Sequence, residues 1–193
     1  MAYPAFKPRQ LKRSSGLTII ELMITLVVLG VLLAIGLPEM RSFIVSNRLS
    51  SDVKGFVGLI NYARSEAITR NQSVVICPKD AATNACVSTA TWGTLETEAF
   101  VDVDGSGTWT TGDVLLKTIS AVDTTGLERG FTRTAAGLIV FRSVGLVNSS
   151  HGLDIWAIKT GDTAYESKYG RRVCIGQSGR VSVIAKGATC ANF

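Results

Sequence analysis

Residues 17–37 read LTIIELMITLVVLGVLLAIGL, twenty-one positions with a single charge, Glu21. An apolar helix rises about 1.5 Å per residue, so this stretch is long enough to span the roughly 30 Å hydrocarbon core of a bilayer. Lys7, Arg9, Lys12 and Arg13 precede it, and residues 1–16 hold no acid. The positive-inside rule therefore predicts a cytoplasmic leader, with the rest of the chain on the far side of the membrane. Two simpler readings compete. A secretory signal, with Ala34-Ile35-Gly36 as its processing site, has an apolar region of only about 7–15 residues. A plain single-span anchor has the right length but no use for a carboxylate. Glu21 counts against both, because an acid in a membrane helix costs about 2.5–3.5 kcal/mol on insertion scales and is retained for function.

Beyond this stretch, the 193 residues are 46% hydrophobic and 18% charged, which excludes a disordered or collagen-like chain. The net charge of +5 comes mostly from the leader: the remaining chain has 16 basic and 15 acidic side chains. Overall charge is thus no argument for nucleic acid. Enzymatic machinery is missing from the motifs. His151 is the single histidine, and it reads as a turn or surface residue. No nucleophile elbow, GxxxxGK[ST] or GxGxxG occurs. Glu96 and Glu98 fall on one face of a strand and read as solvated surface. The sequence implies a binding or structural protein rather than an enzyme, with no cofactor.

Past residue 37, Pro38 removes a helical donor and predicts a bend. Helical period then resumes. Leu49, Val53, Phe56, Ile60, Ala63 and Ala67 form one apolar stripe, and Arg48, Asp52, Arg64, Ser65 and Glu66 fall largely off it. This predicts a helix over residues 17–72 whose second half packs on a domain. From residue 73 onward the pattern changes to short β-rich runs at 73–77, 97–103, 114–119, 138–141, 153–159, 172–176 and 180–184. Asp104-Gly105-Ser106-Gly107, Thr124-Thr125-Gly126, Thr160-Gly161-Asp162 and Gln177-Ser178-Gly179 are the turns between them. One helix followed only by strands is an α+β fold, with an antiparallel sheet on the helix. Four cysteines in an exported domain read as two disulfides with three possible connectivities. The pairing Cys77–Cys86 and Cys174–Cys190 closes a local loop in each case and is preferred.

Ser15-Gly16-Leu17-Thr18-Ile19-Ile20-Glu21-Leu22-Met23 resembles the class III signal of type IV pilins and pseudopilins. Asn61-Tyr62-Ala63-Arg64-Ser65-Glu66-Ala67, Asn71-Gln72-Ser73-Val74-Val75-Ile76-Cys77 and Phe100-Val101-Asp102-Val103-Asp104-Gly105-Ser106-Gly107 are similar to the GspH/FimT branch. Gly179-Arg180-Val181 is similar to that branch's closing motif. The resemblance implies that prepilin peptidase cuts after Gly16, removing residues 1–16, and that the new N-terminus at Leu17 is methylated. It implies that Glu21 meets the N-terminal amine of a neighbouring pilin or pseudopilin subunit during assembly. Two isolated charges in lipid then become one compensated pair. It further implies that residues 17–37 hold the precursor in the bacterial inner membrane, N-terminus cytoplasmic, and that residues 73–193 form a periplasmic, disulfide-bonded β-rich domain. The implied function is a minor pilin that primes or caps a type IV pilus. The alternative is a GspH-type tip pseudopilin of type II secretion.

Two constellations in the exported part carry binding chemistry. Residues 17–158 hold ten basic and thirteen acidic side chains, whereas residues 159–193 hold six basic and two acidic ones. Such separation steers a polyanion to one surface. Tyr165 and Tyr169 beside the arginines suit stacking on bases. FimT-like pilins bind DNA through a Gly-Arg-x-Arg tail, so the resemblance makes Arg171, Arg172, Arg180 and Lys186 candidate DNA contacts. Gly179-Arg180-Val181-Ser182 lacks the second arginine. The second constellation is Asp102, Asp104, Ser106 and Asp113, which match positions one, three, five and twelve of a calcium loop. Their flanks read as strands, so a glycine-rich β-turn is the preferred reading there.

Overall fold

A computed structural model describes residues 16–83, 85–89, 92–93, 95–121, 128–133, 137–147, 151–158 and 169–190. The chain divides into two units, Met1–Ser42 and Phe43–Phe193. One helix, α1 (Ile19–Arg70), contributes to both, and Pro38 does not end it. Thr18 caps its start: the Thr18 hydroxyl accepts from Glu21 N at 3.3 Å, and Leu22 N donates to Thr18 O at 3.2 Å. At the far end Asn71 takes φ 53°. Asn71 N then donates to Ile68 O and Gln72 N to Ala67 O, at 3.3 and 3.2 Å. That left-handed residue and bond pair form a Schellman stop, which Asn tolerates better than most side chains.

Among the described residues of the second unit eight strands follow: β1 (Ser73–Lys79), β2 (Glu96–Asp102), β3 (Val114–Ile119), β4 (Glu128–Arg133), β5 (Ile139–Phe141), β6 (His151–Ile158), β7 (Arg171–Ile175) and β8 (Val181–Ala185). They form two antiparallel sheets, in the orders β3-β2-β1-β5 and β4-β6-β7-β8. The sequence suggests one sheet; instead β6, β7 and β8 form a second sheet with β4, which, with Glu128, Arg129 and Arg133 among six residues, is not legible as a strand. It becomes one by pairing along β6, from Glu128↔Ile158 to Arg133↔Leu153. His151 opens β6 rather than a turn. The turns expected at 124–126 and 160–162 lie outside the described residues.

All six residues of the helical stripe are buried, and Val45 and Leu59 join them. They meet Val74 and Ile76 of β1, Ile139 and Phe141 of β5, Leu153 and Ile155 of β6, and Val173 and Ile175 of β7 in one core. Period-two alternation sends the intervening residues of β1 to its other face. There Val75 and Cys77 pack with Phe100 beneath Cys86, Trp109, Leu138 and Val140. Cys77–Cys86 and Cys174–Cys190 are both disulfides.

Glu98 corrects the reading of a solvated carboxylate. It is 1% exposed and opposite Cys77 in the β1–β2 ladder. Lys79 Nζ reaches its Oε2 at 3.3 Å, and Oε1 has no hydrogen-bond partner among the described residues. Burial raises its pKa, and the Lys79 charge only partly opposes this. Sheet pairing, invisible in the sequence, turned this position inward.

Candidate functional site

Within the first unit, the described part of α1 is exposed along the stretch Ile19–Leu37, which is long and apolar enough to cross a membrane. Gly16 and Leu17 precede the first helical turn and are exposed. Glu21 lies in that first turn, where the unpaired N–H groups and the helix dipole favour a carboxylate. Thr18 to Glu21 has the S/T-x-x-E spacing of a capping box, a helix-start signal that hydropathy alone passes over. A methylated or amino terminus at Leu17 would stand immediately before this turn.

The second unit separates the basic candidates. Arg171 pairs with Ala185 and Ile175 with Val181, and Gly176 N donates to Arg180 O, so Arg171 and Arg180 sit at opposite ends of the β7–β8 hairpin, about 16 Å apart along the strand. Both are exposed. Arg171 Nη1 donates to Gly170 O at 3.0 Å. Arg172 is occupied otherwise: its Nε and Nη2 donate to Asp154 Oδ1 and Oδ2 at 2.6 and 2.7 Å, and its Nη1 to Ala188 O at 2.6 Å. The hydrogen bonds to Asp154 raise its pKa further. The bidentate fork ties β7 to β6, and the third bond holds the segment before Cys190 to the same guanidinium. Lys186 is half-buried, and desolvation lowers its pKa against the pull of Asp154. Tyr169 packs against the core rather than standing free to stack. Tyr165, Lys159 and Lys168 lie outside the described residues.

The acidic candidates, by contrast, are brought together. In the β2–β3 connection one oxygen from each of Asp102, Asp104 and Asp113 lies within 4.8 Å of the other two. Asp113 closes the loop, Oδ1 accepting from Val103 N at 2.9 Å and Oδ2 from Thr110 N at 2.7 Å. Asp104 Oδ1 accepts from Ser106 N at 2.9 Å. The Thr110 hydroxyl stands 3.2 Å from Asp104 Oδ2 and 3.1 Å from Asp113 Oδ2, so one proton serves two acceptors. Ser106 turns its hydroxyl to Thr108 O at 2.9 Å. Burial raises the pKa of Asp102; the Gly107 N–H opposes the shift, and the two neighbouring carboxylates reinforce it. Hydrogen bonds from Ser106 lower that of Asp104.

A long N-terminal helix, apolar and uncovered at first and then packed on disulfide-closed antiparallel sheets, defines the pilin-like class. Residues 52–179 match the family model of the type II transport protein GspH, and residues 11–37 match the prokaryotic N-terminal methylation motif. The chain belongs to the GspH family, and its subunits are structural pilins and pseudopilins, not enzymes. The fold is similar to that of the type IV minor pilin FimU of Pseudomonas aeruginosa, with 20% identity over 72% of this chain and 89% of that one, TM-score 0.51. The minor pseudopilin EpsH of the Vibrio cholerae type 2 secretion system gives 16% identity over 72% and 98%, TM-score 0.47. No curated protein sequence matches the chain.

Proposed function

We propose that this protein is a minor subunit that primes or caps a type IV pilus, after prepilin peptidase cuts between Gly16 and Leu17 in the inner membrane. The observation that carries this reading is the exposed apolar stretch Ile19–Leu37 with Glu21 in its first turn. Such a surface requires lipid before assembly and sister helices afterwards. Removal of the leader takes away the four basic residues that anchor the N-terminus in the cytoplasm and creates the amine that compensates Glu21. The experiment compares Glu21→Ala with wild type for leader removal and for incorporation into filaments. Normal cleavage with failed incorporation supports the reading; normal incorporation defeats it.

The family also includes subunits of secretion pseudopili, and the same helix would serve a tip pseudopilin that binds no DNA. DNA capture is the property that separates the two readings. Its support here is the exposure of Arg171 and Arg180 on a hairpin held by Cys174–Cys190. Binding of single- and double-stranded DNA by the full chain in detergent, across a salt series, tests it. Replacing Arg171 and Arg180 together should reduce the salt slope by roughly 0.7–0.9 for each phosphate that is no longer neutralised. No binding at low salt leaves the structural tip subunit as the function.

A further inference from the structure

Three carboxylates converge at the β2–β3 connection, and none has a basic side chain within ion-pair distance among the described residues. Clustered acids alone are common on surfaces. Here a second observation is independent of the clustering: Asp102 is only 7% exposed, and its Oδ1, with no solvent contact, has no hydrogen-bond partner among the described residues. A buried carboxylate oxygen without a donor is costly unless something positive meets it. Thr110 has one hydroxyl proton for both Asp104 and Asp113, so the loop's own donors fall short of its acceptors.

We infer that the β2–β3 connection is a calcium site, with Asp102, Asp104 and Asp113 supplying carboxylate oxygens to one ion. Oxygens within 4.8 Å of one another can share a cation bonded to each at about 2.3–2.6 Å. Three hard oxygen donors on an irregular loop suit calcium, which accepts six to eight ligands in flexible geometry. Magnesium requires a near-ideal octahedron and holds its waters. The backbone donors to Asp104 and Asp113 leave each oxygen a second lone pair for the metal. Ser106, fifth in the sequence pattern, bonds to Thr108 instead, so the site departs from the helix-flanked loop that the spacing resembles. The ion would fix the connection carrying Trp109, whose ring meets Phe100 edge-on at 5.3 Å and covers the outer cluster around Cys77. Calcium would thereby stabilise the displayed domain.

The test uses the full chain in detergent, stripped with a chelator and titrated with calcium, magnesium or terbium. Trp109 lies within the loop and should sensitise terbium luminescence, with calcium displacing the signal. Half-saturation is expected at about 0.1–1 mM, the range of extracellular calcium modules, with a rise in melting temperature. Asp104→Asn should weaken binding about tenfold or more. Asp102→Asn removes a buried charge without changing shape; it should melt no lower than wild type without metal and lose the calcium shift. No shift at about 10 mM calcium, an equal response to magnesium, or an undiminished calcium response in both variants would overturn the assignment.

Discussion

The guanidinium of Arg64, on α1, donates from Nη2 to the carbonyl of Ser178 at 2.9 Å, across 114 residues of sequence. Its Nε donates to Gly145 O at 3.2 Å, so one side chain joins the helix to the turn after β5 and the turn between β7 and β8. Arg64 lies just off the apolar stripe, on the side of a helix that ordinarily faces solvent. It instead satisfies two carbonyls that come together only when both sheets close on the helix.

Arg64→Met keeps much of the side-chain volume and removes both bonds. A loss of about 1.5–3 kcal/mol is expected, the range for hydrogen bonds to a charged group. Arg64→Lys should recover little, because an ammonium lacks the planar fork. Thermal unfolding of the chain in detergent checks this; a midpoint unchanged in Arg64→Met would show that the two bonds contribute nothing.

Gly179, the glycine of the closing motif, has φ 73°, and an added Cβ would overlap the carbonyl oxygen of Gly145. Gly187 has φ 83° with open space around it. Both Ala variants carry left-handed strain of about 1–3 kcal/mol, and Gly179→Ala should lose clearly more than Gly187→Ala. Equal losses would mean that backbone conformation alone requires glycine at residue 179.

Arg172 divides stability from DNA capture. Arg172→Ala leaves Asp154 without its bidentate partner and should lower stability by about 1.5–3 kcal/mol. The salt slope of any DNA binding should stay as in wild type, whereas replacing Arg171 and Arg180 should reduce it. A slope reduced in Arg172→Ala to the same extent would return that arginine to the binding surface.

For Glu98, burial raises the pKa, so the folded chain holds this proton more tightly than the unfolded chain does. Its contribution to stability therefore falls as pH rises from the ordinary carboxylate range through the raised value. Glu98→Gln removes that dependence, and the variant's stability relative to wild type should increase with pH across the same window. Parallel stability–pH curves for the two proteins would contradict the assignment.

The candidate sites were legible to different degrees. Asp102, Asp104 and Asp113 are close in sequence, so their convergence needed only one hairpin. The basic tail looked like a single patch because sequence distance hides strand geometry: the β7–β8 ladder puts Arg171 and Arg180 at opposite ends. Asp154, eighteen residues before Arg172, could not be recognised as its partner until β6 and β7 were paired.

Everything local in origin could be read from the order of residues. The apolar length of residues 17–37, the position of Glu21, the helical stripe, most strands and the glycine turns at 104–107 and 177–179 follow from periodicity and conformational preference within a few residues. The division into two sheets, the strand at β4, the burial of Glu98 and the reach of Arg64 came only with the folded chain. Each depends on contacts between distant segments, whose energies exist only once the chain has closed around a shared core.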